Sequence, residues 1–153
     1  MKLSFSIKGW NCRDFDEYIN TAKEYGFKGI ELTDLANTGF SDNGGAFDKY
    51  NSSATSKKLY EAGITLPCMD SACDISSDDT DSMIRELEFC MGIAKTMKIP
   101  YIRVYAKDSS ATVEKAISNM EKLVPMAERE GIVLAVETMG VFANTDNMRE
   151  LLG

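Results

Sequence analysis

The side chain with the clearest chemistry is Glu137, at the end of the aliphatic run Ile132-Val-Leu-Ala-Val-Glu-Thr-Met-Gly140. Such a run reads as a strand covered on both faces, as in parallel sheets. Parallel α/β folds bind ligands at the C-terminal ends of their strands. An acid there is costly unless it coordinates a metal or meets a partner. Period two sets Ala135 and Val133 on the same face as Glu137. Neighbouring strand ends carry further candidates. Arg103 and Tyr105 share one face of a fourth strand. A guanidinium there reaches a phosphate or carboxylate, or closes a salt bridge inside the fold. Glu31 and Asp70 end the second and third strands in matching positions and are candidate substrate contacts. Trp10 follows the first strand, either as an apolar wall for a ligand or as plain packing.

The 153 residues include no histidine. That removes Ser-His-Asp and Cys-His catalysis and His-based metal sites from this chain, and leaves acid/base work to Asp, Glu, Lys, Tyr or Cys. A net charge of −7 argues against a nucleic-acid partner or an anionic membrane surface. No apolar stretch is long enough to span a bilayer, and the N-terminal apolar segment is too short for a signal peptide, so a cytoplasmic protein is expected. Cys12, Cys68, Cys73 and Cys90 show no disulfide framework and read as reduced, mostly buried thiols.

The elements that position these groups alternate strand and helix five times over a single domain, residues 1–153. Strands are expected at 3–7, 28–33, 64–69, 101–105 and 132–138, with Pro67 bending or ending the third. Helices are expected near 13–25, 53–61, 81–97, 111–130 and 146–152. Asp14 and Glu17 stand at capping-box spacing and Gly26 closes the first helix. The acidic run Asp78, Asp79 and Asp81 complements the start of the third helix. Pro125 is expected to kink the fourth. Strands covered on both faces leave two architectures open, a doubly wound parallel sheet and a (β/α)₈ barrel of ~250 residues represented by its first five units. The turn Lys8-Gly-Trp-Asn-Cys12 holds no phosphate-loop glycines, and pattern alone leaves the two nearly even.

The stretch from Glu128 to Leu152, with its aliphatic strand ending in Glu-x-x-Gly and its Leu-Leu helix end, resembles the xylose isomerase-like TIM-barrel family of sugar isomerases and epimerases. Phe27-Lys-Gly-Ile-Glu-Leu32 looks like that family's second strand, and Ala94 to Val104 like its third helix and fourth strand. The resemblance covers essentially the whole chain and about the N-terminal five-eighths of a family barrel. It implies that Glu137 is a metal ligand at the barrel mouth and one of two carboxylates that shuttle a proton beside a sugar carbonyl. It further implies a divalent metal (Mn, Mg, Co or Zn) for the complete family protein and a sugar or sugar phosphate as ligand. The other family ligands, an Asp, a His and a second Glu, come from strands six to eight, so the isolated chain is expected to be inactive and to hold no metal by itself. Met139 departs from the His or Asn that many members carry. Trp10 would then wall a sugar.

Two other readings stand beside this isomerase, epimerase or lyase. One is a non-catalytic partial barrel that self-associates through open sheet edges or meets a complementing half-barrel. The other is the related apurinic endonuclease branch, which the acidic charge and lack of histidine disfavour.

Overall fold

The computed structural model describes residues 1–10 and 14–153; Cys12 and the expected helix start at Arg13 lie outside the described residues. Five parallel strands alternate with helices. They are β1 (Ser4–Ser6), β2 (Gly29–Glu31), β3 (Cys68–Asp74), β4 (Tyr101–Tyr105) and β5 (Val133–Val136). The helices are α1 (Phe15–Tyr25), α2 (Leu35–Thr38), α3 (Ser52–Ala62), α4 (Thr80–Met97), α5 (Val113–Arg129) and α6 (Thr145–Leu152). A 3₁₀ turn, Gly140–Ala143, precedes the last.

Strand order decides between the two architectures. β1 pairs with β2, β3 with β4, and β4 with β5, all parallel. Parallel bridges Gly29–Thr65 and Leu32–Met69 link β2 to β3. The order in space is therefore the order in sequence. A doubly wound sheet must reverse direction at its switch point, and no reversal occurs here. Right-handed crossovers that always step the same way put every helix on one face, as in a barrel wall.

Burial follows from that geometry. On β4, Ile102 and Val104 are fully buried in the core that α4 and α5 complete, whereas Tyr101 is exposed and Arg103 and Tyr105 are half-buried. The expectation of strands covered on both faces is thus corrected: the helices cover one face, and the other carries the polar groups. On β5 neither face is fully covered, since Val133 is 54% exposed and Leu134, Ala135 and Val136 are half-buried.

Most boundaries follow the predicted signals. Asp14 caps α1 by accepting from the Asp16 amide at 3.0 Å, and Gly26 ends it in the left-handed region. Asp79 caps α4 by accepting from Ser82 N at 2.9 Å, and Thr112 caps α5, which runs on through Pro125. β3 is the exception. It begins at Cys68, after Pro67, rather than at Ile64, because proline offers no amide to the ladder. Asp70 is consequently the third residue of a strand that runs on to Asp74 through a register shift, not its last. Edge-to-face packing of Phe15 on Phe47, with ring centroids 4.8 Å apart, ties the long loop after α2 to α1.

Candidate functional site

Parallel register brings the predicted side chains to one place. Asp70 on β3 lies opposite Arg103 on β4, and Arg103 opposite Ala135 on β5. The alternation expected for Ala135 and Glu137 therefore sets both on the Arg103 face. Glu137 follows β5 directly, its amide donating to Val104 O at 3.0 Å. Glu31 closes β2.

Arg103 is the centre of this group. Its Nε donates to Asp70 Oδ1, its Nη2 to Glu31 Oε1 and its Nη1 to Glu137 Oε2, the last at 3.0 Å. Three carboxylates from three strands thus converge on one guanidinium carried by a fourth. Burial by itself would lower the Arg103 pKa, but Asp70, Glu137 and Glu31 outweigh it and raise it, so the cation is permanent. Asp70 is buried, whereas the side chains of Glu31 and Glu137 are 25% and 37% exposed. Among the described residues, each glutamate keeps one oxygen without a partner.

Tyr105, already placed on the Arg103 face, and Cys68, which the candidates left out, belong to this surface. Burial, then a hydrogen bond to Asp70, pushes the Tyr105 hydroxyl well above the usual phenol range. Burial and the negative Glu31 raise the Cys68 thiol. Period two back from Asp70 reaches Cys68, so it too was within reach of the sequence.

Trp10 lies elsewhere. It is 48% exposed and packs against Phe5, with centroids 5.3 Å apart, while its carbonyl accepts from the Tyr18 hydroxyl at 2.7 Å. It lines a cavity of about 260 Å³ at the C-terminal ends of β1 and β2, with Ile7, Tyr18, Thr33 and Asp34.

The turn that presents Glu137 depends on Gly140. Its φ of +57° lies in the left-handed region, and an added Cβ would overlap the Ala106 carbonyl just past β4. Only glycine lets the backbone after Glu137 close this tightly on β4.

A metal at this mouth would find oxygen donors of the right kind. Glu137 can offer one oxygen while Arg103 holds the other. Among the described residues, however, no set of three His, Cys, Asp or Glu side chains is arranged to hold an ion. Glu137 fits as one ligand of a set, not as the set. No described helix is long and apolar enough to cross a membrane.

Comparison with known proteins agrees with this fold. The family model described as xylose isomerase-like TIM barrel matches residues 19–152. No curated protein matches the chain. Among solved structures, the probable 3-DHS dehydratase AsbF from Bacillus anthracis is 20% identical with a TM-score of 0.85, and the match covers 100% of this chain and 58% of that one. The IolI protein, solved with a bound zinc atom, is 14% identical with a TM-score of 0.79, covering 99% and 58%. A D-tagatose 3-epimerase-like protein is 13% identical with a TM-score of 0.64, covering 91% and 53%. The chain spans somewhat over half the length of these relatives, and its five strands correspond to that part of their barrels. By the family-model match over residues 19–152, the chain belongs to the xylose isomerase-like TIM-barrel family.

Proposed function

We propose that this chain supplies strand-end carboxylates of a sugar or sugar-phosphate isomerase or epimerase, with a lyase as the allied chemistry. The observation that supports it is the convergence of Glu31, Asp70 and Glu137 on Arg103 at the strand ends, with Glu137 inside the Glu-x-x-Gly turn. In this reading the uncommitted oxygen of Glu137 moves a proton at the carbon beside the sugar carbonyl. Glu31 accepts from a substrate hydroxyl, and the remaining Arg103 N–H groups reach a substrate oxygen. A divalent ion, held in part by Glu137, would polarise the carbonyl and hydroxyl oxygens. Turnover on this reading needs metal ligands beyond those described.

The test is incubation with Mn²⁺, Mg²⁺, Co²⁺ or Zn²⁺ and a panel of ketoses and aldoses in deuterated water, followed by NMR for deuterium at the carbon beside the carbonyl. Exchange that Glu137→Gln abolishes supports the proposal. Neither exchange nor binding with any metal counts against it. A second reading, a non-catalytic partial barrel that self-associates, is favoured by the 54% exposure of Val133 on an outer strand of the described sheet. Light scattering separates the two, because a monodisperse monomer sinks edge-driven assembly.

A further inference from the structure

The three carboxylates around Arg103 are not equivalent, and their differences point to a division of labour. We propose that Asp70 is a positioning residue: it fixes the Arg103 guanidinium, and the guanidinium in turn aims Glu137 and Glu31. The inference rests on the reading of Glu137 as a working carboxylate and deepens it by taking Asp70 out of the substrate-contacting set.

Four observations carry it. Asp70 and Arg103 are cross-strand partners in the parallel register, so their contact is local and needs no other strand. Asp70 takes Nε, the nitrogen nearest the side-chain stem, and holding that bond fixes the rotation of the planar fork. The same carboxylate is buried, and the Asp70 backbone amide donates to Leu32 O at 2.7 Å, which ties the residue to β2 as well. Glu31 and Glu137 take the two outer nitrogens, from β2 and from the end of β5, and are the more exposed pair. A planar guanidinium cannot turn Nη1 without turning Nη2. Once Asp70 fixes the plane, the directions in which the two glutamates are held are fixed together.

The order of dependence is then one-way. Removing Asp70 frees the fork and both glutamates, whereas removing Glu137 vacates Nη1 alone. NMR of the intact chain reads this without substrate or metal, from the ¹⁵N signals of the guanidinium and the ¹³C signals of the glutamate carboxyls. In the unmodified chain, separate Nη1 and Nη2 signals are expected, with Glu31 and Glu137 displaced from an exposed reference such as Glu24. In Asp70→Ala the two Nη signals are expected to merge and both glutamates to shift to the solvated position. In Glu137→Gln the Nη signals should stay separate and Glu31 should not move. Arg103→Lys keeps the charge but loses the fork, and is expected to release both glutamates as Asp70→Ala does. If Asp70→Ala fails to fold, Asp70→Asn, which keeps the shape but loses the charge, takes its place. The proposal is overturned if the Asp70 variant leaves the Nη signals separate and both glutamates in place, or if Glu137→Gln disturbs Glu31 as strongly as removing the fork does. Since no turnover is measured, failure here leaves the isomerase reading standing, and failure of that reading leaves this hierarchy intact.

Discussion

Replacing Gly140 by alanine tests the turn that presents Glu137, and two penalties can be read from the structure. The residue sits at φ +57°, where an L side chain costs about 1–2 kcal/mol. The new Cβ would overlap the Ala106 oxygen and lie 2.9 Å from the Ala106 carbonyl carbon, where ordinary contact begins at 3.4 Å. The obstacle is backbone rather than the tip of a flexible side chain, so overpacking adds about 1–3 kcal/mol. Together these give about 2–5 kcal/mol, or a fall in Tm of about 5–15 °C for a domain of this length. The strain falls between the ends of β4 and β5, so the 3.0 Å bonds from Glu137 N to Val104 O and from Arg103 Nη1 to Glu137 should loosen first. Calorimetry supplies the Tm, and hydrogen exchange at the Glu137 amide reports the local effect. Gly92 is the control. It lies exposed in α4 with nothing within 4 Å of its would-be Cβ, so Gly92→Ala should stabilise by about 1 kcal/mol. A Gly140→Ala protein that melts with the parent and keeps its Glu137 amide protected would refute the close-approach argument.

Arg103→Met leaves three carboxylates facing one another without a counter-ion. Allowing for the partial exposure of the group, chemical denaturation should show a loss of about 2–3 kcal/mol, whereas Glu137→Gln should cost under about 1 kcal/mol; equal losses would contradict the assigned centre. Burial raises the Cys73 thiol from 9.0 to about 12, so the folded state keeps a proton that the unfolded chain releases. Its contribution to stability is complete below about pH 9 and is lost between about pH 9 and 12, at roughly 1.4 kcal/mol per pH unit. Urea melts across that range should show a shallower alkaline decline in Cys73→Ala, and an unchanged slope would rule Cys73 out as its source. Asp79→Ala removes the cap on Ser82 N and should lower stability by about 1 kcal/mol in the same melts.

The helix ends were legible because capping chemistry is local: Asp14, Asp79 and Thr112 each cap within three residues in sequence. The convergence on Arg103 was partly legible, since period two along short strands sets Glu31, Asp70, Arg103 and Glu137 on candidate strand ends, although that the acids would share one cation was not. Strand three was misplaced because Ile64-Thr-Leu-Pro-Cys-Met69 is apolar enough for a strand, while the missing Pro67 amide delays the ladder to Cys68. The exposure of Val133 and the half-burial of Leu134 were hidden because a four-residue aliphatic run carries no period that tells one covered face from two. The need for glycine at 140 was out of reach altogether, since it is set by a carbonyl thirty-four residues upstream.

A sheet whose spatial order repeats its sequence order has a kinetic consequence. Each strand docks beside one already made, so the ladder can lengthen in the direction of synthesis with no long-range strand waiting for a later partner. The charges emerge on the same schedule. Glu31 and Asp70 leave the ribosome before Arg103, and two like charges wait together until β4 delivers their cation. Glu137 comes last, joining a guanidinium already held in place. Assembly in this order never leaves Arg103 without a carboxylate, and it makes the most solvent-exposed of the three acids the final one to be seated.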